Sequence, residues 1–196
     1  MSAERGTADP ESARKTIHFI AVSLPLMYAR GVDRYVLLTV LGFVSAVALA
    51  VEWARHAWPA ANAVFTRTVG PMLRERERHG ITGATWLAVA SFAAILVLPA
   101  RPAIATLWCT TGADPVAAIA GRAWRRHSPS SSRKSAAGSA ACLVVAFAGV
   151  WLLADFRPVP ALGIAGMAMM AERFPGSFDD NLSVPLGVAL AALVVA

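Results

Sequence analysis

Charge is scarce in this chain. Asp, Glu, Lys and Arg make up 15% of its 196 residues, against 57% that are hydrophobic. A soluble domain of this size seldom carries so few charges, so the composition argues against a water-soluble protein and for an integral membrane protein. Cysteine is scarcer still. Cys109 and Cys142 both lie inside apolar runs and neither belongs to a CxxC pair. A disulfide framework or a thiolate zinc site is therefore not expected, and both read as small buried residues. No GxxxxGK[ST] occurs, which excludes a P-loop. Acidic residues number 12 against 18 basic ones, for a net charge of +6. The basic residues fall in short clusters between apolar runs, the pattern of membrane-flanking loops rather than of a surface that tracks nucleic acid. The first sixteen residues, MSAERGTADPESARKT, are too polar for a signal peptide and read as a surface segment.

What the chain does have is long apolar runs. Seven stand out, at about 17–32, 35–53, 82–99, 103–121, 138–155, 159–172 and 183–196. A straight span needs about 20 residues at ~1.5 Å each. The expected fold is all-α: a polytopic membrane helix bundle of about seven transmembrane segments, the first, sixth and seventh short and the fourth broken. Residues 1–16 form the surface segment and 17–196 a single transmembrane domain. With the N-terminus on one side, that side holds 14 of the 18 basic residues, against Arg30, Arg34, Arg101 and Arg157 on the other. The richer side is expected to face the cytoplasm.

Five polar stretches lie on that side. In ESARKTIH, a helix makes neighbours of Arg14, Lys15 and His18. They form either a snorkelling basic belt or a phosphate clamp. In LRERERHGITG, alternating Arg and Glu read as a solvated helix end with local ion pairs, and Gly80 and Gly83 separate it from the third span. In TGADPVAAIAGR, Asp114 and Pro115 suit N-cap and N1 of a half-helix, whose free N–H groups would face an anion. The alternative is a plain helix cap. Ala113, Ala117 and Gly121 recur every four residues as a stripe for close helix packing. In RRHSPSSSRKSAAGSA, Ser and Gly N–H groups beside Lys134 suit a phosphate cradle or a flexible linker. In AERFPGSFDDNLSVP, Glu172 ends one span, and Asp179, Asp180 and Asn181 precede the next. Such oxygens suit Mg²⁺, or ordinary turn and capping chemistry.

Taken in order, RKxxH, LRExE…TGA, GxDPxAAxxGR, KSxxGS and E…DDNLxVPL resemble the CTP-dependent lipid-alcohol kinases. This is the family of dolichol kinase, phytol kinase and the CTP-using diacylglycerol kinases, whose bacterial members are often labelled phosphatidate cytidylyltransferase. The resemblance runs from about residue 11 to the C-terminus. It implies transfer of the γ-phosphate of CTP to the hydroxyl of a membrane lipid, an isoprenoid alcohol such as phytol or a polyprenol first, with Mg²⁺ as cofactor. Alternatives in the same frame are diacylglycerol as acceptor, synthesis of a CDP-lipid, and a non-catalytic membrane subunit.

The resemblance implies that Arg14, Lys15, Gly121, Arg122, Lys134, Ser135, Gly138 and Ser139 bind nucleotide. It implies a metal held among Asp114, Glu172, Asp179, Asp180 and Asn181, and catalytic roles for Asp114, Asp179 and His18, the last as general base. It further implies a bacterial plasma-membrane location with the site on the cytoplasmic face, and membrane lipids as partners. The short last span leaves room for a partner helix and an oligomer. Two positions depart from the family pattern. Ala137 stands where a Glu precedes Gly-Ser, and Trp124 and Arg125 stand where a glycine recurs after GR.

Overall fold

The computed structural model describes residues 10–127, 134–174 and 180–196, and of residues 10–19, 126, 127 and 180 the backbone alone. Every regular element among them is helical. In chain order these are α1 (Pro10–Ala29), α2 (Arg34–Ala57), α3 (Pro59–Val69), a 3₁₀ turn (Gly70–Met72), α4 (Glu75–His79), α5 (Gly83–Val97), α6 (Ala100–Trp108), a π-helical turn (Cys109–Ala113), α7 (Asp114–His127), α8 (Ala136–Leu152), α9 (Pro158–Arg173) and α10 (Asp180–Val194). Each of the seven apolar runs corresponds to a helix or a helical stretch. Two are long and apolar enough to cross a membrane, Arg34–Ala57 and Ala100–Arg125; Gly83–Val97, Ala136–Leu152 and Asn181–Val194 are apolar but shorter.

Two elements differ from the sequence expectation at their ends. α1 begins at Pro10, so part of the polar N-terminal segment is helical. α3 was not expected at all: it is short, and none of its residues is buried.

The fourth span corrects the reading of TGADPVAAIAGR. There is no break. α6, the π turn and α7 run on as one helix, and Asp114 has helical angles, φ −61° and ψ −48°. Its N–H donates to Cys109 O, five residues back. Asp114 is therefore not an N-cap, and no half-helix N-terminus points at an anion there. The physical reason lies in Pro115. A proline ring meets the carbonyl four residues back in a regular α-helix, and the wider π turn just ahead of it gives that ring room. Threonine hydroxyls reinforce the turn: Thr110 Oγ1 donates to Thr106 O and Thr111 Oγ1 to Leu107 O, both at 2.8 Å.

Small residues hold the bundle together. Ala105, Cys109, Ala113 and Ala117 form one buried line along α6 to α7, facing Cys142, Ala146 and Val150 of α8 and Ala161, Ala165 and Ala168 of α9. Such side chains let backbones approach closely, which is how helices pack when burial from water is not the driving force. Cys109 and Cys142 are free and buried in this core. A second cluster, Leu37, Leu41, Ile95 and Leu107, ties α2 to α5 and α6.

Arginines at one end of the bundle close helix termini. Arg34 Nη2 donates to Leu96 O at 2.7 Å, near the end of α5. Arg101 Nε donates to Ala154 O at 3.2 Å, and its Nη2 to Asp155 O, just past α8. Asp155 is in the left-handed region, φ 55°, which Asp tolerates better than most residues. The C-terminus of α7, the N-terminus of α8, the C-terminus of α9 and the N-terminus of α10 meet at the opposite end.

Candidate functional site

At that opposite end, α7, α8 and α9 enclose a cavity of about 150 Å³. α7 supplies one face of its helix. Asp114, Ala117, Ala118, Gly121, Arg122 and Arg125 all line the cavity, at the three- and four-residue spacing that stacks side chains along a helix. α8 contributes Lys134, Ser135 and Gly138 at its start, α9 contributes Glu172 at its end, and Arg74 reaches in from the residue before α4.

Glycine is what brings the walls together. A Cβ on Gly138 would stand 2.8 Å from Ala117 O and 3.4 Å from the Gly121 Cα. One on Gly121 would stand 3.0 Å from Ser135 Oγ. α7 and α8 thus touch backbone to backbone at Gly121 and Gly138, and both glycines border the cavity because no side chain separates the helices. Ser135 caps α8, its Oγ accepting from Gly138 N at 3.1 Å.

Four cations, Arg74, Arg122, Arg125 and Lys134, line this cavity with two carboxylates, Asp114 and Glu172. Lys134 Nζ donates to Glu172 Oε1 at 2.7 Å and to Glu172 O at 2.6 Å. Glu172 is 6% exposed. Its second oxygen, Oε2, and Arg74 Nη1 are buried with no hydrogen-bond partner among the described residues. A buried polar atom left without a partner is costly. Here one acceptor and one donor of this kind belong to side chains lining the same small space. A polyanion with a divalent cation would meet both needs.

Of the residues expected from sequence, Asp114, Gly121, Arg122, Lys134, Ser135, Gly138 and Glu172 come together here. Ser139 and Asn181 do not. Ser139 is buried, and its Oγ accepts from Arg173 Nη1 at 3.1 Å. Asn181 lines a different cavity, with Glu52, Glu77 and Thr82. Arg14, Lys15 and His18 belong to the first half of α1, of which the backbone alone is described. Asp180 opens α10, likewise as backbone, and Asp179 lies outside the described residues.

Two lining residues were missed from sequence. Arg74 belongs to the LRERER stretch that read as a solvated helix end. That reading holds for the exposed Glu75–Arg78 pair at 3.3 Å but fails for Glu77, which is 3% exposed. Arg125 stood in view as a departure from the family's glycine.

The described residues contain no group of three or more His, Cys, Asp or Glu side chains able to hold a metal. Magnesium, however, is commonly bound by one or two carboxylates together with substrate phosphates. Asp114 and Glu172 line one cavity, and Glu172 Oε2 is an orphaned acceptor, so the donor set fits that ion.

Behind α4 lies a buried polar network. Glu52 of α2 accepts from Thr82 N at 2.8 Å, from Thr85 Oγ1 at 3.1 Å and from Arg55 Nε at 2.6 Å. Arg55 also donates to the carbonyls of Glu77 at 3.1 Å and of Gly80. Glu77 accepts from Arg74 N at 2.8 Å and from Gly83 N at 3.1 Å. The network fixes the short α4 and with it the backbone from which Arg74 reaches the cavity.

Compared with known proteins, the chain is 33% identical over 139 residues to CTP-dependent diacylglycerol kinase 1 of Eremothecium gossypii, covering 69% of this chain and 43% of that protein. It is 26% identical over 187 residues to the Saccharomyces cerevisiae protein of the same name, covering 93% and 64%. Over 91 residues it is 29% identical to the Schizosaccharomyces pombe one, covering 46% and 42%. The chain thus spans from about two fifths to under two thirds of the length of these relatives. No family model matches it, and no solved structure matches it. The family resemblance carried by the five motifs and the resemblance to these relatives agree: the chain is similar to the CTP-dependent lipid kinases.

Proposed function

We propose that this chain is an integral-membrane lipid kinase that uses CTP as phosphate donor, with its site at the end of the bundle where α7, α8 and α9 meet. The observation that carries the reading is the cavity in which Arg74, Arg122, Arg125 and Lys134 surround Asp114 and Glu172. An excess of cations suits a triphosphate, and the relatives' names supply its identity as CTP. Those names also move diacylglycerol ahead of an isoprenoid alcohol as the acceptor, with phytol or a polyprenol as the second candidate from the motifs. We take α1, α2, α5, the α6–α7 helix, α8, α9 and α10 as the seven spans, with the N-terminus and the site on the cytoplasmic side. Fourteen of the 18 basic residues favour that side.

Phosphoryl transfer asks a protein for positioning and charge neutralisation more than for covalent chemistry. The lipid hydroxyl oxygen forms a bond to the γ-phosphorus. The bond from that phosphorus to the β–γ bridging oxygen breaks, and CDP leaves with the electron pair. The hydroxyl proton passes to a carboxylate, for which Asp114 is the candidate. The arginines and Lys134 steady the charge that develops on the phosphoryl oxygens. Asp114 and Glu172 would hold Mg²⁺, which supplies neutralisation of the phosphate charge when bound. Lys134 then has a double task, holding Glu172 in place and facing the phosphates.

The test is purified protein in detergent with labelled CTP, Mg²⁺ and a panel of diacylglycerol, phytol, farnesol and polyprenol. A phosphorylated lipid with release of CDP is the expected result. Pyrophosphate and a CDP-lipid would make it a cytidylyltransferase. No lipid product with any acceptor or nucleotide would leave a non-catalytic subunit, in keeping with Ala137.

A further inference from the structure

A second cavity, of about 230 Å³, lies on the other side of α4, between α2, α3 and α5. Its walls are apolar: Ala48 and Val51 of α2, Phe65 of α3, Met72 and Leu73 of the 3₁₀ connection, and Leu87 of α5. Its polar end is made by Glu52, Glu77, Thr82 and Asn181, which are 6%, 3%, 8% and 6% exposed. An apolar channel that ends on buried hydrogen-bonding groups matches an amphiphile with a small polar end.

Its depth in the bilayer can be read from the aromatic residues beside it. Trp53 and Trp58 stack edge to face, with centroids 4.9 Å apart, where α2 gives way to α3. Both are exposed, at 62% and 53%. Exposed tryptophans on a membrane protein favour the headgroup level. Arg55, whose guanidinium lies 4.8 Å from the Phe65 ring centroid, belongs to the same level. The hydroxyl of a membrane lipid is found at that depth.

The two cavities share α4 and its flank. Arg74 lines the cationic one, and Glu77, three residues on, lines the apolar one. Glu77 accepts from the Arg74 N–H at 2.8 Å, so the two positions are fixed to each other. A kinase that moves a phosphoryl group from a nucleotide to a lipid needs a polar and an apolar site side by side, and this short helix lies between them.

We propose that the α2–α3–α5 cavity is where the acceptor docks before transfer, holding the hydroxyl-bearing end of a glyceride or other lipid alcohol at Glu77 and Asn181, from which the hydroxyl passes the Arg74 end of α4 to reach Asp114 and the phosphates. The proposal rests on the lipid-kinase reading for the fate of that hydroxyl, but occupancy of the site can be read separately. Asn181 thereby takes an acceptor role in place of the metal role expected from sequence. Gly83 enforces the geometry. A Cβ there would stand 2.7 Å from Asn181 Nδ2 and 2.9 Å from Glu77 Oε1.

The experiment uses the full chain in nanodiscs with a diacylglycerol that carries a diazirine on its acyl chain, photolysed and mapped by mass spectrometry. Label is expected within residues 48–52, 65–73 and 82–87. Excess unlabelled diacylglycerol should compete for it, and the O-methyl ether should not. Label confined to the largely apolar groove between α5 and α10, at Val97, Leu98 and Leu186, or equal competition by the ether, overturns the proposal. Ala48→Phe gives a second readout. It should raise the KM for lipid about tenfold and leave the KM for CTP within about twofold, whereas Val97→Phe should change neither. If label maps to the α2–α3–α5 cavity while no lipid is phosphorylated, the site stands and the kinase reading falls.

Discussion

The Lys134 ammonium is bonded twice to Glu172, at 2.7 Å to its Oε1 and at 2.6 Å to its carbonyl oxygen. The pair joins the start of α8 to the end of α9 across 38 residues of sequence. Removing one partner of a buried pair leaves an uncompensated charge, which costs about 3 kcal/mol at the low end of the usual range. Lys134→Met should therefore lower the unfolding midpoint in detergent and abolish phosphate transfer. Lys134→Met with Glu172→Leu should recover most of the midpoint but none of the transfer. A double variant that phosphorylates lipid at the parent rate would make the pair purely structural.

Asp114 offers a cleaner separation of chemistry from folding. Its N–H is used within the helix, on Cys109 O, so it is not the first residue of a new helix. Asp114→Asn keeps the shape and removes the charge. Asn keeps an oxygen that can accept a hydrogen bond, so the loss of stability should stay at about 1 kcal/mol, the net worth of a single hydrogen bond. The kcat should fall by about a hundredfold or more, the scale expected when one electrostatic group is lost from a phosphoryl-transfer site. Full turnover in Asp114→Asn, measured beside an unchanged midpoint, would take Asp114 out of the mechanism.

How much of this was legible beforehand follows from how each signal is encoded. The apolar helices were, because apolar runs are local and long. So was the gathering of Asp114, Gly121, Arg122, Lys134, Ser135, Gly138 and Glu172, because the ordered motifs carry it. The Asp114–Pro115 pair misled. Locally it has the chemistry of a helix start, and nothing in the sequence announces that a π turn will make room for the proline. Glu52, Arg55 and Glu77 were not legible either, because a charged residue near a span end reads as solvated. Their burial depends on α3 and α4 folding back over the end of α2, a tertiary fact. Asn181 was assigned with its acidic neighbours by adjacency, whereas the start of α10 turns its amide toward Gly83 and Glu77.

Packing predicts a different kind of loss at Gly149. A Cβ there would stand 1.9 Å from Trp108 Nε1, and the indole N–H donates to Val145 O at 2.8 Å. The indole lies flat against α8 just where the side chain is missing. Gly149→Ala must push Trp108 out of that bond or push α8 away, and overpacking of this kind costs about 1–3 kcal/mol. Thermal unfolding in detergent, read by tryptophan fluorescence, should show a lower midpoint and a shifted emission maximum. An unchanged midpoint would mean that α6 and α8 separate there at no cost.

The buried network behind α4 makes the last prediction, because it links stability to both cavities at once. Arg55 is 4% exposed and is held by Glu52 and by the carbonyls of Glu77, Arg78 and Gly80. It is the C-terminal cap of a five-residue helix that could not stand alone. Arg55→Met orphans those carbonyls and leaves the buried Glu52 carboxylate without its guanidinium, a loss of about 3–5 kcal/mol. The damage should be local before it is global. Hydrogen exchange should rise over residues 74–80 while α8 and α9 stay protected, because their small-residue core does not include Arg55. Arg74 and Glu77 both depend on that segment, so the KM values for CTP and for lipid should rise together. Adding Glu52→Leu removes the unpaired charge but takes the acceptor from the Thr82 N–H and the Thr85 hydroxyl, so it should restore stability only in part, and not the ordering of α4, since the carbonyl contacts are still missing. Protection at 74–80 equal to that of the parent in Arg55→Met would show that α4 is held by something other than this arginine.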